Sequence, residues 1–491
     1  MKLQSILQFF LVPPILIVNK VAFPTTCRCL YGQPCWPDEN EFAALASQLS
    51  QPLLHPIPPE SACYPSSAPS GNCSVVKANT KNGNWRSDQP GSMQKPNFET
   101  FIFPNGTISA CYLNTALGIP CEQGSVPPVG VDARSASDVR AAVNFAKQHN
   151  LKVVIKNTGH DYLGRSTARG GFLIWTHFMK EILYHPTFIP DGAPATTENT
   201  FNGDSPPFFF WIRQWLIIYI YKLSLLEPVF NGTKHIVLLI GEDGSSLEVY
   251  PQVVQLALLE DGWWVEAIAP FLLDSASVLF FPFLPPVLNL WYGDTGVDNV
   301  LQFTIVLANG ALITTNSFQY PDLFWALRGG GGGTYGIVIS TTYQTHPTFP
   351  LVSASVHSNF ASPAIAQKVT TEFIKLHPKL SDAGWGGYIS FSKSRFSVNL
   401  IAPNISWADA NATFLPFVQY VKDATGRSVT ATTIPFPSFY EYYYTNFFNK
   451  SGLVGFNTEL ASRLLPRSLA ESDPSKAAEI ILSIDNDVYM M

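Results

Sequence analysis

Lys152-Val153-Val154-Ile155-Lys156-Asn157-Thr158-Gly159-His160-Asp161-Tyr162-Leu163-Gly164-Arg165-Ser166 is the stretch whose reading decides the fold. The β-branched run Val153 to Ile155 predicts a short buried strand. The strand empties into a turn holding two glycines, a histidine, an arginine and several hydroxyl or amide side chains. Glycine admits φ > 0 and close backbone approach, so such a turn can aim N–H groups at an anion. The same residues also suit a polar surface turn with a solvated His160, and spacing alone does not separate the two.

Upstream, apolar residues at Val139, Ala142, Val143 and Ala146 repeat at helical spacing, with Ser135 or Ser137 available as N-cap. A helix followed by a strand and a Gly-rich turn is a cradle suited to a nucleotide cofactor. The whole chain has 491 residues, 13% of them charged, and a net charge of −6. That length accommodates two or three domains, and the charge offers no basic stripe for a nucleic-acid partner. Lys2 followed by the apolar run Ile6 to Val18 has the form of a secretory signal, expected over residues 1–23. All seven cysteines (Cys27, Cys29, Cys35, Cys63, Cys73, Cys111 and Cys121) precede residue 122. This predicts a disulfide-tied N-terminal region, one thiol being left over, in a secreted or vesicular protein. A zinc cluster is the alternative, although the spacings are irregular and no histidine pair accompanies them. Asn72, Asn105, Asn231, Asn404, Asn411 and Asn449 stand in glycosylation sequons.

The segment from Asn157 to Thr167, with Ile174-Trp175-Thr176-His177 after it, resembles the fungal berberine-bridge-enzyme-like flavoproteins. These belong to the vanillyl-alcohol-oxidase class of FAD-linked oxidoreductases. The resemblance implies that the loop wraps the FAD pyrophosphate. Asn157, Thr158, Gly159, Asp161, Leu163, Gly164, Arg165 and Ser166 would then bind the cofactor, and His160 would be bonded covalently to the flavin 8α-methyl. An imidazole is a competent nucleophile toward an electrophilic methyl group. A second block, Gly296 to Gly310, reads as a strand and an Asn-Gly turn, with a partner strand over Leu312–Thr315 and a helix over Tyr320–Arg328. Taken alone, the glycine run Gly329 to Gly333 reads as a flexible linker. The resemblance instead lays it along the cofactor, with the main chain of Gly336, Ile337 and Val338 at the adenosine end.

The expected fold is therefore α+β: a two-subdomain FAD-binding domain of the PCMH type plus an antiparallel-sheet substrate domain. Its boundaries are expected as a Cys-rich cap over 24–125, an FAD-binding domain over 126–348, and a substrate domain over 349–491 that stops short of the family's usual end. Gly384 to Phe391 and Phe396 to Ile401 predict paired strands, and Ala408 to Val421 a helix. Phe436, Phe439, Tyr440, Tyr442, Tyr443 and Tyr444 suit core packing better than a pocket wall.

Residues 200–292 depart from the pattern. Apolar runs at Pro207–Tyr221 and Val278–Pro286 stand where the family carries strands, a cysteine and a Gly-Gly-Gly-His-Ser segment. Arg213, Gln214 and Lys222 argue against a membrane span, since each buried charge costs roughly 2.5–3.5 kcal/mol. Codons able to encode Trp264 to Phe271 also permit Gly-Gly-His-Ser-Pro-Phe two bases later, so part of this stretch is expected to be out of frame. No cysteine follows Cys121, so the family's second, cysteinyl flavin bond has no donor. The resemblance implies oxidation of a small organic substrate with O₂ reoxidising the flavin; it names no catalytic base, metal or oligomeric state. The N-terminal Cys27-Arg28-Cys29, Pro34-Cys35-Trp36-Pro37 and Tyr112-Leu113-Asn114-Thr115 resemble chanoclavine-forming oxidoreductases of fungal ergot-alkaloid pathways. An oligosaccharide oxidase on the same fold, and an inactive product of a damaged gene, are the other two readings.

Overall fold

The computed structural model describes residues 27–64, 71–185, 188–194, 208–213, 248–249, 300–331, 333–345, 349–426, 429–446, 454–457, 465–483 and 488–490. The expected signal segment and the stretch around Trp264 to Phe271 lie outside these residues. The N-terminal region contributes α1 (Glu39–Ala46), β1 (Leu53–Leu54), α2 (Cys73–Asn79), α3 (Gly83–Ser87) and a small hairpin of β2 (Phe101–Ile102) with β3 (Ile108–Ser109). Disulfides Cys29–Cys35, Cys63–Cys73 and Cys111–Cys121 staple it, and Cys27 is the exposed free thiol. Pairing of six cysteines into disulfides removes them as zinc ligands. The region is also joined to the first large sheet, because β1 pairs antiparallel with β4 (Val129–Asp132).

β4 begins a parallel sheet with β5 (Val153–Lys156) and β6 (Phe172–Trp175), in the order β1-β4-β6-β5. Between β4 and β5 runs α4 (Ala136–Gln148). Ser135 is its N-cap, accepting from the Asp138 amide, and Val139, Ala142, Val143 and Ala146 form the buried face that the spacing predicts. Burial pushes the Asp138 carboxyl up, yet bonds from Ser50, Ser135 and the Arg134 amide hold it below its ordinary value. That carboxylate pins the chain after α1 to the start of α4. β5 is only half buried: Val153 is exposed, while Val154 and Lys156 point inward. The strand lies at the sheet edge, so one side chain of its apolar run faces solvent.

The second sheet is antiparallel along the order β11-β10-β12-β8-β7, with β9 pairing parallel to β8. Its strands are β7 (Ile182–His185), β8 (Phe208–Arg213), β9 (Glu248–Val249), β10 (Val300–Val306), β11 (Leu312–Asn316) and β12 (Ile337–Thr345). β10 and β11 form the expected hairpin at Asn309-Gly310, where the Gly310 amide donates to the Leu307 carbonyl. Within the divergent region, β8 pairs its backbone with Ser340–Thr345 of β12 and with β7. α5 (Pro321–Gly330) follows β11.

The third sheet, in the order β16-β13-β15-β14-β17, is antiparallel as expected. It comprises β13 (Leu351–Asn359), β14 (Gly386–Phe391), β15 (Arg395–Pro403), β16 (Thr430–Phe436) and β17 (Val488–Met490). α6 (Pro363–Asp382), α7 (Trp407–Thr425), α9 (Arg467–Ser472) and α10 (Pro474–Ser483) supply the helical half of its core, where Phe373, Phe396, Phe417 and Ile481 meet. α8 (Phe439–Asn446) does something else. Phe436, Phe439, Tyr442 and Tyr443 join Leu351 and Ile401 in the same core as Val131, Phe303 and Val338, so these aromatics weld the third sheet to the first two. The alternative for this cluster, a pocket wall, gives way to packing.

Candidate cofactor site

The loop that leaves β5 is built from within. Lys156, its last strand residue, turns inward, lies over the Trp175 ring and donates from Nζ to the Gln89 carbonyl at 2.8 Å. The Asn157 carbonyl accepts the Trp175 indole N–H at 2.7 Å. Gly159 sits at φ 81°, and a Cβ there would stand 3.0 Å from the Ser92 carbonyl oxygen and 3.1 Å from Met93 Cα. Only glycine combines that backbone with that close approach. The Gly159 carbonyl in turn accepts the Gln94 amide at 3.0 Å. A second turn follows at Gly164, whose amide donates to the Asp161 carbonyl.

His160 is 5% exposed, so the solvated-turn reading of this residue is excluded. Its ring lies edge-on to Tyr162 with centroids 5.4 Å apart. Burial, and then the Lys95 charge, bring its pKa down to about 3, which leaves the imidazole neutral at neutral pH. Thr158 is fully buried, and its Oγ1 has no hydrogen-bond partner among the described residues. Leaving such a hydroxyl unsatisfied costs about 1–3 kcal/mol, which an oxygen-rich ligand would recover. Asp161 organises the loop: its carboxylate accepts the Leu163 and Arg165 amides and binds Arg165 Nε at 2.7 Å. Ser166 is buried, whereas Leu163 is 65% exposed.

The second block arrives beside the first. Gly329 and Gly330 complete α5, the Thr334 hydroxyl bonds back to the Gly330 carbonyl, and a Cβ on Gly333 would touch Ile155 Cδ1 at 3.3 Å. Gly329 and Gly330 are therefore a helix end, and Gly333 packs against β5 rather than standing in a free linker. Gly336 needs its missing Cβ as well, since one would lie 2.6 Å from the Val306 carbonyl oxygen. Ile337 and Val338 are buried strand residues in register with Val306 and Ile305.

Beneath the loop lies a charged pedestal that no local pattern announces. Arg86 is fully buried; Nη2 is 2.6 Å from Glu99 Oε1, Nη1 is 3.4 Å from Glu60 Oε1, and Nε donates to the Met93 carbonyl at 2.6 Å. Glu99 also accepts the Met93 amide at 2.6 Å. Burial, and the nearby Glu60 charge, raise the Glu99 carboxyl despite Arg86. Burial likewise brings Lys156 down to about 7. His177 stacks flat on Trp175 and reaches Asp88 at 2.7 Å. Its pKa falls to about 3 through burial, because Asp88 is partly exposed and water screens its charge. This pedestal holds Met93 and Gln94, and they hold Gly159.

The arrangement fits an FAD pyrophosphate loop: a glycine-strained turn, an orphaned buried hydroxyl and a neutral buried imidazole on one rigid base. Residues 127–187, from β4 to just past β7, match the FAD binding domain family. An uncharacterised FAD-linked oxidoreductase of Arthroderma benhamiae is 30% identical over 469 residues, covering 94% of this chain and 74% of that protein. The FAD-linked oxidoreductase easE of Epichloe festucae var. lolii is 30% identical over 345 residues, 68% of this chain and 48% of its own length. Among solved structures, the VAO-type flavoprotein MtVAO615 from Myceliophthora thermophila superposes with a TM-score of 0.70 at 22% identity, covering 94% of this chain and 76% of its own. The chain belongs to the FAD-linked oxidoreductases, on a fold of the vanillyl-alcohol-oxidase type.

Proposed function

We propose that this protein is a covalent flavoprotein oxidase of fungal secondary metabolism, with His160 as the flavin tether. The observation that carries this is a buried, neutral His160 in a glycine-strained loop over a fixed base. In this reading the Asn157–Ser166 backbone and the Thr158 hydroxyl face the diphosphate, and Gly336 to Val338 serve the adenosine end. Held by these residues, FAD would supply the redox chemistry, acceptance of a hydride equivalent from a small organic substrate with O₂ as the final oxidant. The chain's own task is to hold the imidazole unprotonated, keep water from it and fix the loop.

No cysteine follows Cys121, so attachment rests on the histidine alone. The three disulfides suit an oxidising compartment, and we place the protein in the secretory pathway on that basis. Among the described residues no helix is long and apolar enough to cross a membrane. The N-terminal resemblance to chanoclavine-forming enzymes favours an alkaloid precursor as substrate. Precipitating the purified protein with acid tests the tether: yellow colour and flavin fluorescence should stay in the pellet and be lost from it in His160→Ala. A colourless wild-type pellet refutes covalent attachment. Oxygen uptake with a tricyclic alkaloid precursor, set against cello-oligosaccharides, then decides the substrate class.

A further inference from the structure

The region around His160 contains a cation that the loop motif does not supply. Lys95 comes from the N-terminal region and is 3% exposed. Its Nζ stands 3.9 Å from the centroid of the Phe456 ring and 5.5 Å from that of Tyr162. Tyr162 is the ring that meets His160 edge-on, so cation, phenol and imidazole form a connected row. The backbone fixes this row at both ends. The Gln94 amide donates to the Gly159 carbonyl, and the Gly455 amide donates to the Gln94 carbonyl at 2.9 Å. Phe456 therefore reaches Lys95 from the C-terminal half of the chain, anchored one residue away, while Val454 is buried beside it. Desolvating an ammonium is expensive, and two ring faces return part of that cost. The Lys95 charge also acts on the neighbouring imidazole in the direction that keeps it neutral.

We propose that Lys95 is a positioning residue for the cofactor: a buried ammonium clamped between Tyr162 and Phe456 that places a fixed positive charge beside His160 and raises the reduction potential of the flavin held there. The proposal rests on His160 being the flavin-bearing residue. A buried positive charge stabilises the more negative, reduced state of a neighbouring group. Phe456 makes the second half of the chain part of that device.

The test uses the full-length protein, as wild type, Lys95→Met, Lys95→Arg and Phe456→Leu, each checked for folding by thermal melt. Two quantities are read: the fraction of flavin retained after acid precipitation, and the midpoint potential of bound flavin from dye equilibration. The expected result is a lower potential in Lys95→Met, recovery in Lys95→Arg because a guanidinium also stacks on aromatic faces, and a smaller fall in Phe456→Leu. A Lys95→Met protein with wild-type potential overturns the proposal, as does a fall that Lys95→Arg shares in full. If Lys95→Met does not fold, Phe456→Leu decides, and an unchanged potential there overturns it. Acid-soluble flavin in the wild type refutes the tether and removes the ground on which this proposal stands; acid-stable flavin with an unchanged Lys95→Met potential refutes the Lys95 role alone, and a wild type that binds no flavin overturns both.

Discussion

Replacing Arg86 with methionine would remove the cation that bridges Glu60 and Glu99 while keeping most of the apolar stem. The guanidinium is fully buried, with contacts of 2.6 Å to Glu99 and 3.4 Å to Glu60 and a 2.6 Å bond to the Met93 carbonyl. Breaking a buried pair by removing one partner costs about 3–5 kcal/mol, because the other charge stays behind without compensation. Here two carboxylates remain, and the Met93 carbonyl loses a donor. At roughly 2–4 °C per kcal/mol for a domain of about 150–250 residues, the melting temperature should fall by roughly 10 °C at pH 7.5. Burial already raises the Glu99 carboxyl, so in the variant it takes up a proton and the deficit shrinks toward pH 5. Adding Glu99→Gln should restore part of the loss. Because Met93 and Gln94 carry Gly159, flavin retained after gel filtration should fall alongside stability. Differential scanning fluorimetry at pH 5 and pH 7.5 gives the answer. A shift below about 2 °C that does not change with pH would refute the reasoning.

Gly159→Ala should cost at least about 1–2 kcal/mol from its left-handed backbone, with the contacts to Ser92 and Met93 added. Flavin loading should drop by more than the melting temperature suggests, and wild-type loading would contradict the cradle. His160 and His177 have pKa values brought from 6.5 to about 3 in the folded state. Their folded values are depressed, so their stability contribution is complete above about pH 6.5 and is lost as pH falls toward 3. The slope is up to about 1.4 kcal/mol per pH unit for each histidine. Melts from pH 7 to pH 4 should show this, with a shallower slope in His177→Gln; an identical slope would count against it. Removing the Cys111–Cys121 bridge as a double serine variant opens a loop with a sequence separation of 10. Denaturant titration should show a loss of roughly 2.5 kcal/mol on the chain-entropy model, and no change would argue that the hairpin region holds itself.

What the sequence determined by itself was set by short-range rules. The helical spacing of Val139, Ala142, Val143 and Ala146 needs only 3.6 residues per turn, and α4 has those boundaries to within a residue or two. The Asn309-Gly310 hairpin, the β14–β15 pair and the α7 helix were likewise readable from local pattern. The loop motif placed His160 in its family before any coordinate was known. Tertiary structure decided whether that histidine was solvated or buried, since burial comes from what packs around it, the Tyr162 ring included. It also turned Gly329 and Gly330 from linker into helix end, set Gly333 against Ile155, and made the aromatic cluster of α8 the weld between sheets. The pedestal was invisible for the same reason. Lys156 meets the Gln89 carbonyl across 67 positions, and Arg86, Glu60 and Glu99 lie in a stretch without periodicity. Charged residues written there read as surface, because periodicity registers apolar faces and carries no information about which distant partner neutralises a buried charge.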